Sequence, residues 1–434
     1  MVLNRRAQEQ TVIIRSMLSN KSAPIRANAA FAIGQFGSEG KPAVPALVSA
    51  LKDENVNVRL TVAKSLGAIG PDAKAAVPAL AKLLDDDVGG VTINAAEALG
   101  QIGSAAVPVL AEKLSDPNLR ALAASVLSEI GPDAKAAVPE LVKLLGTDDD
   151  ATRIEVLLAI AEIGPDAEAA IEPLLKTLRS PAAKGRAGAA YALAKIEAKS
   201  AIPVLKQTVK DKDELLRFAS GWALVRFEPK NAEFVRIALP SLIKGLSHKI
   251  PVIRREVAEV LGMIGPAAKP AARELLRTLK DGNLEVRVEA LMTLAEIDAS
   301  DELVLTVAVK ALQDDDPMFR YAGAYLLGRA GTKASSAIPE LRQKLKSRDP
   351  FEKTVAAWAI VNIAPKPELI KTAVPILVEA LNHERPTVRA KVAETLGRVG
   401  RNSARVRTAL ITATKDEDQE VREAATEALR KLDD

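Results

Sequence analysis

The 434-residue chain has no cysteine and only two histidines. Without thiols there is no disulfide framework, no thiolate zinc site and no cysteine nucleophile, and the redox compartment is left open. Aromatics make up 3% of the residues. The core must therefore come from Ala, Leu, Val and Ile, which suits helices stacked at close range. An excess of one charge is missing as well: 60 Lys+Arg against 56 Asp+Glu leave +4, too little for bulk attraction to nucleic acid or membrane. No apolar run reaches the roughly eighteen residues of a membrane-spanning helix, so no membrane insertion is expected. The opening Met1-Val2-Leu3-Asn4-Arg5-Arg6 has neither an apolar segment nor a small-residue cleavage site. That points to a cytoplasmic chain, and a periplasmic one would need a leader already removed.

What is present is a unit of thirty-odd residues, repeated. One copy runs Val58-Arg59-Leu60-Thr61-Val62-Ala63-Lys64-Ser65-Leu66-Gly67-Ala68-Ile69-Gly70-Pro71, then Ala76-Val77-Pro78-Ala79-Leu80 and a polar turn at Asp85-Asp86-Asp87. Its Leu-Gly landmark recurs at Ile33, Leu66, Leu99, Leu127, Ile160, Leu193, Leu224, Leu261, Leu294, Leu327, Ile360, Leu396 and Leu429. Such a period implies units that bury a sticky face only against their neighbours, an α-solenoid that grows by addition. A single solenoid over residues 1–434 is expected. Its caps fall at about 1–37 and about 401–434, made polar by Arg5 and Arg6 at one end and Arg430, Lys431, Asp433 and Asp434 at the other.

Each unit reads as two helices. The first is the Val-Pro-x-Leu-x-x-x-Leu segment, as in Val77 to Leu84, with Pro in its first turn, where the missing amide has no intrahelical partner. Pro45, Pro78, Pro108, Pro139, Pro173, Pro203, Pro240, Pro339 and Pro375 fit that place. The second runs from the Val-Arg pair to the Leu-Gly, taken as its end. Val58, Val62, Ala63, Leu66 and Ile69 recur at three- and four-residue steps and define one buried stripe. Eight residues before the Gly position stands Arg26, Arg59, Arg120, Arg153, Arg186, Arg217, Arg254, Arg287, Arg320, Arg389 or Arg422; Thr92 and Lys353 depart. Asp often precedes the Arg by six, as at Asp53, Asp211, Asp281, Asp314 and Asp416. A guanidinium bridging turn carboxylates and carbonyls of successive units would form a structural ladder. A catalytic site needs one constellation, not thirteen copies.

The phrase Asp-x-x-Val-Arg-x-x-Ala-Ala-x-Ala-Leu-Gly-x-Ile-Gly, followed by Ala-x-x-Ala-Val-Pro-x-Leu, resembles the HEAT repeat. More narrowly it resembles the short bacterial type called the phycobilisome-lyase HEAT-like repeat; Asn57 to Pro78 and Glu420 to Leu429 match well. The likeness covers nearly all of residues 20–434 and is weakest at 226–245 and 298–312. It implies an all-α fold: a right-handed superhelix of about thirteen antiparallel helix pairs, with the second helices on the concave side. It also implies a scaffold or adaptor, since few members are enzymes.

Enzymatic readings find little support. Di-iron HEAT-repeat hydroxylases carry several His-Glu pairs, whereas His383-Glu384 stands alone here and His248 precedes Lys249. Both histidines occupy the turn position of Asp in other units, so no metal and no cofactor is expected. Gly34-x-x-Gly37-x-x-Gly40-Lys41 lacks the spacing, the Ser/Thr and the preceding strand of a phosphate loop. Nucleic acid is disfavoured by abundant acids and few aromatics, with one exception: Arg385, Arg389, Lys391, Arg398, Arg401, Arg405 and Arg407 crowd two late units. A bilin-lyase-like accessory subunit remains a second alternative, on fold analogy.

The second helix keeps one solvent stripe, at seven and three residues before the Gly position and one after. Three before stand Phe31, Tyr191, Trp222, Tyr325 and Trp358. Phe218 and Tyr321 sit one turn earlier, and Lys195, Arg226, Arg329 and Arg398 follow the Gly position. Two clusters result: Tyr191, Phe218, Trp222 and Arg226, and Tyr321, Tyr325, Arg329 and Trp358. Exposed aromatics beside Arg would anchor a protein or peptide partner on the concave face. In the other reading, curvature tucks the rings between neighbouring second helices as packing.

Overall fold

The computed structural model describes residues 14–401 and 403–433. Arg5, Arg6 and Asp434, expected to cap the chain, lie outside them. The chain divides into two compact units, Met1–Phe227 and Glu228–Asp434. Among the described residues all regular structure is helical. The N-terminal unit stacks the second helices Ala23–Gly34, Val56–Ile69, Gly89–Ile102, Arg120–Ile130, Asp150–Ile163, Arg186–Lys195 and Glu214–Phe227 side by side. The C-terminal unit does the same with Pro251–Ile264, Leu284–Asp298, Pro317–Ala330, Pro350–Ile363, Pro386–Val399 and Gln419–Asp433. First helices, most of them shorter, pack against each stack.

Helix Val56–Ile69 shows why the sequence folds this way. The Asn55 side chain caps it by accepting the Asn57 N–H. Val58, Val62, Ala63, Leu66 and Ile69 are buried. The helix ends at Gly70, whose φ of 71° only glycine adopts freely, and Pro71 follows. From Gly70 the chain turns through a 3-10 segment, Gly70–Ala76, directly into the first helix Val77–Lys82, which a second 3-10 piece, Leu83–Asp85, continues. The expected first helix is thus shorter as an α-helix and flanked by tighter turns.

Three expectations need correction. Pro240 and Pro375 do not open their helices; they lie inside Ala232–Gly245 and Pro367–Ala380. In neither unit does a Gly-Pro turn precede the helix, so the α-helix starts earlier. In the first case Asn231 caps it by accepting the N–H groups of Glu233 and Phe234. Asp301 plays the same part for Glu302–Ala311, so the two weak stretches of the repeat are longer helices with side-chain caps. Pro173, by contrast, is the third residue of Ile171–Arg179 and lies in the first turn as expected.

The Leu-Gly glycine, finally, does not close the second helix. Gly67, Gly100, Gly262, Gly328 and Gly397 sit inside their helices. A Cβ on Gly67 would lie 3.0 Å from Ala98 Cα, on Gly34 2.9 Å from Ser65 Cα, on Gly328 3.0 Å from Ala359 Cα, and on Gly397 2.6 Å from Ala428 Cα. The small residue two before the next landmark receives it, so the glycine is where backbones of successive second helices meet.

The arginines connect the turns. Arg26 donates Nε and Nη2 to the Asp53 carboxylate at 2.6 and 2.7 Å, and Nη1 to the Asn20 and Lys21 carbonyls. Arg59 repeats this on Asp86, Arg254 on Asp281 and Arg389 on Asp416. Arg186 reaches Asp211, and Arg217, Arg287 and Arg422 hold the carbonyls of their own turns. The guanidinium beside them holds the Asp53, Asp86, Asp281 and Asp416 carboxyls below the usual carboxylate range. Where the next turn lacks Asp the pattern changes. Arg320 takes Glu352 at 2.8 Å, Arg153 takes Asp150 of its own helix, and Arg120 Nε is buried without a partner. At Thr92 the hydroxyl donates to the Asp86 carbonyl, the atom an Arg would have used.

Candidate binding surface

The residues at three before and one after the glycine do line one face of each second helix, but that face is not uniformly open. Trp222 is 1% exposed and Trp358 is 7% exposed. The expectation that they project as anchors is corrected. The residue three before the landmark lies over the landmark of the preceding helix: a Cβ on Gly328 would strike Trp358 Cζ3 at 2.3 Å. Each indole then stacks on the tyrosine one unit earlier, Tyr191 with Trp222 at 4.9 Å and Tyr325 with Trp358 at 5.3 Å between centroids. Both indole Nε1 atoms are buried with no acceptor.

The other members of the two clusters come together around these stacks. Tyr191, Phe218, Arg226, Tyr321 and Tyr325 are half-buried, and Arg329 is exposed. The Arg226 guanidinium lies 5.4 Å over the Trp222 ring and Lys195 Nζ 5.9 Å from the Tyr191 centroid. Lys195 also pairs with Glu162 at 3.4 Å. In the C-terminal unit the polar ends are tied down. Tyr325 donates to Glu296 at 3.0 Å, Arg329 pairs with Glu296 at 2.9 Å, and Tyr321 donates to Asp349. Burial first, and Asp349 second, push the Tyr321 phenol up to about 12. Phe351 meets the Tyr321 ring edge-on at 4.8 Å.

A different set of residues is open. Phe31, Ile93, Ile154, Leu158 and Leu215 in the N-terminal unit are 39–57% exposed. All but Leu215 stand three or seven residues before their landmark, and Leu215 is one turn further back on the stripe of Phe218 and Trp222. Apart from Phe31, sequence reasoning passed over them because they are aliphatic, the same residue types as the core. The usable signal was position in the repeat, not residue type.

Three members of the basic cluster are paired with carboxylates. Arg389 belongs to the turn ladder, Lys391 pairs with Glu394, Arg407 with Asp433, and Arg398 donates to Asn362 Oδ1. A concavity beside Arg398 is otherwise lined by Glu394, Glu420, Glu423 and Glu427 as well as Lys431. Arg385, Arg401 and Arg405 are exposed. His248 and His383 use Nδ1 to accept the N–H of Ile250 and Arg385, and their carbonyls accept from Arg254 and Arg389, as the turn aspartates do elsewhere. A further cavity of about 300 Å3 lies in the C-terminal unit, floored by Leu276, Leu294 and Ile297 and rimmed by Lys269, Arg273 and Asp298. On helix Leu284–Asp298, burial and then Glu259 push the Glu289 carboxyl up to about 7.

The profile described as HEAT repeats matches residues 12–100, 107–183, 171–236, 270–361 and 338–430. The chain belongs to the HEAT-repeat family. The PBS lyase HEAT-like repeat matches residues 93–116 as well. Among curated proteins no sequence matches. Among solved structures, importin beta in an ammonium sulfate condition is similar, with TM-score 0.58 at 13% identity, over 98% of this chain and 74% of that one. So is the karyopherin Kap121p bound to the SUMO protease Ulp1p, with TM-score 0.54 at 16% identity, over 99% of this chain and 56% of that one. This HEAT-repeat chain thus spans a little over half of the Kap121p chain. At such identities the likeness is one of fold, an all-α superhelical solenoid. Among the described residues no helix is long and apolar enough to cross a membrane.

Proposed function

We propose that the protein is a non-catalytic scaffold that holds a protein or peptide segment on the face made by its second helices, the concave face of the solenoid. The observation that carries this is the row of exposed apolar side chains in the N-terminal unit, Phe31, Ile93, Ile154, Leu158 and Leu215. These side chains stand on alternate second helices; exposed apolar surface costs free energy in water, and its release on covering drives association. Around it, Tyr191, Phe218 and Arg226 offer half-buried rings and a cation held in place by packing, so little ordering is required on binding. Trp222 supports this surface from beneath. The family supports a scaffold in preference to an enzyme, and the karyopherin bound to Ulp1p is a solenoid of related fold holding a protein.

The test is selection of a displayed random-peptide library on the immobilised full-length protein, with the Ile154→Glu/Leu158→Glu double variant as counter-screen. Both side chains are exposed, so the variant keeps its fold, checked by circular dichroism. Peptides that bind the wild type and lose about tenfold or more on the variant support the proposal. No enrichment, or peptides indifferent to the variant, would refute it.

A further inference from the structure

The cavity in the C-terminal unit coincides with one irregular repeat. In the units on either side a Gly-led 3-10 segment follows the second helix, Gly265–Ala271 and Gly331–Ala337. Each buries an alanine seven residues past its landmark, Ala268 and Ala334. Seven residues past Leu294 the chain has Asp301. A carboxylate is not buried there as an alanine methyl is, so Asp301 stays exposed and caps Glu302–Ala311. The walls remain without the plug. Leu276, Leu294, Ile297 and Val304 enclose a space of about 300 Å3, and Leu303, 57% exposed, stands at its mouth.

The polar groups around the mouth differ in what they have left to offer. Asp298 accepts Lys269 Nζ and the Ser300 hydroxyl, each at 2.8 Å. Asp301 accepts the N–H groups of Leu303 and Val304 at 3.0 and 3.2 Å. The Arg273 guanidinium is exposed at the same mouth, and among the described residues no hydrogen bond or ion pair engages it. An apolar chamber thus opens beside one uncommitted cation.

That combination selects among small amphipathic molecules. An amine entering the chamber would shed water and find both carboxylates already spent on the fold. An alcohol would leave the guanidinium to solvent. A carboxylate presents two coplanar oxygens, which a guanidinium takes in paired hydrogen bonds. At about 30 Å3 for each water-sized group, the space holds about ten non-hydrogen atoms.

We propose that this cavity binds an apolar monocarboxylate of about that size, its chain among Leu276, Leu294, Ile297 and Val304 and its head on Arg273. A medium-chain acid and a leucine-like C-terminal residue share this chemistry. The site has no residue in common with the scaffold surface above, so the two proposals stand or fall separately.

Isothermal titration calorimetry of the full-length protein with octanoate tests the site. One saturable event is expected, with Kd on the order of 0.1–1 mM for a ligand of ten atoms. Octan-1-ol and octylamine should bind at least about tenfold more weakly. Each methylene removed should cost up to about fourfold, and chains longer than octanoate should gain nothing, because the cavity is full. Arg273→Gln and Leu303→Glu, both at exposed positions, should each weaken octanoate about tenfold, whereas Ile154→Glu/Leu158→Glu should leave it unchanged. Acetyl-leucine stands in for the end of a polypeptide, and whichever of it and octanoate binds more tightly identifies the source of the carboxylate. Absence of saturable binding overturns the proposal. So does affinity that climbs steadily to dodecanoate, indifference to Arg273→Gln, or loss on the Ile154→Glu/Leu158→Glu variant, each of which marks adsorption to exposed apolar surface.

Discussion

Alanine at the landmark glycines should give opposite outcomes in units whose sequences look alike. In a helix interior Gly→Ala gains about 0.8–1 kcal/mol in propensity. At Gly328 the new Cβ would lie 2.3 Å from Trp358 Cζ3, 2.7 Å from Cε3 and 3.0 Å from Ala359 Cα. The indole is buried and stacked on Tyr325, and the Cα is backbone, so neither yields without moving a helix. Overpacking of this kind costs about 1–3 kcal/mol, at the upper end here, and the net is a loss of roughly 1–2 kcal/mol. Gly397→Ala meets Ala428 Cα at 2.6 Å and Cβ at 2.7 Å, with the same sign. At Gly100 the only close atom is Glu129 Oε2 at 2.9 Å, the far end of an exposed side chain, and the next is Val126 Cγ1 at 3.7 Å. There the propensity gain survives, and Gly100→Ala should stabilise by about 0.5–1 kcal/mol. Urea unfolding by circular dichroism reads the sign. Because repeat arrays can unfold in parts, native-state hydrogen exchange across each substituted helix reads the local magnitude. A Gly328→Ala protein as stable as the wild type, or a Gly100→Ala protein destabilised equally, would refute the helix contacts described.

Three further outcomes are expected. Arg254→Met should cost about 1–2 kcal/mol locally, because it removes the two-pronged partner of the half-buried Asp281 carboxylate, whereas Arg120→Met, whose Nε has no partner, should cost less than about 1 kcal/mol; hydrogen exchange in the adjoining turns compares them. The Glu289 carboxyl is raised from 4.5 to about 7, so the native state holds its proton more tightly than the unfolded chain. Its contribution is intact below about pH 4.5 and is lost as pH rises through about 7, by an amount on the order of 1 kcal/mol once solvent screening is allowed for; urea titrations at the two extremes should show the slope, and Glu289→Gln should flatten it. Glu197 is the one non-glycine residue at positive φ among those described, at 63°. Relief of a left-handed penalty of about 1–2 kcal/mol, less the 0.5–1 kcal/mol of chain entropy glycine adds, should make Glu197→Gly more stable by up to about 1 kcal/mol in thermal unfolding.

The period of the letters by itself determined the fold. Apolar residues at three- and four-residue steps, Gly-Pro stops and the recurring Arg have one joint solution, stacked helix pairs, because each unit has a face it can cover only with its neighbour. The arginines at the turns were likewise legible, since a guanidinium repeated with a turn Asp has a short list of possible partners. Tertiary structure alone decided what lies over what. That Trp358 rests on Gly328, that Gly67 meets Ala98, and that the tryptophans are therefore floor and not anchors depends on the lateral offset between neighbouring helices. Helical spacing places a side chain on a face but says nothing of the helix beside it. The same offset leaves Ile154, Leu158 and Leu215 open. A leucine in the core and a leucine on the rim are one letter, and only the packing of the next unit tells them apart.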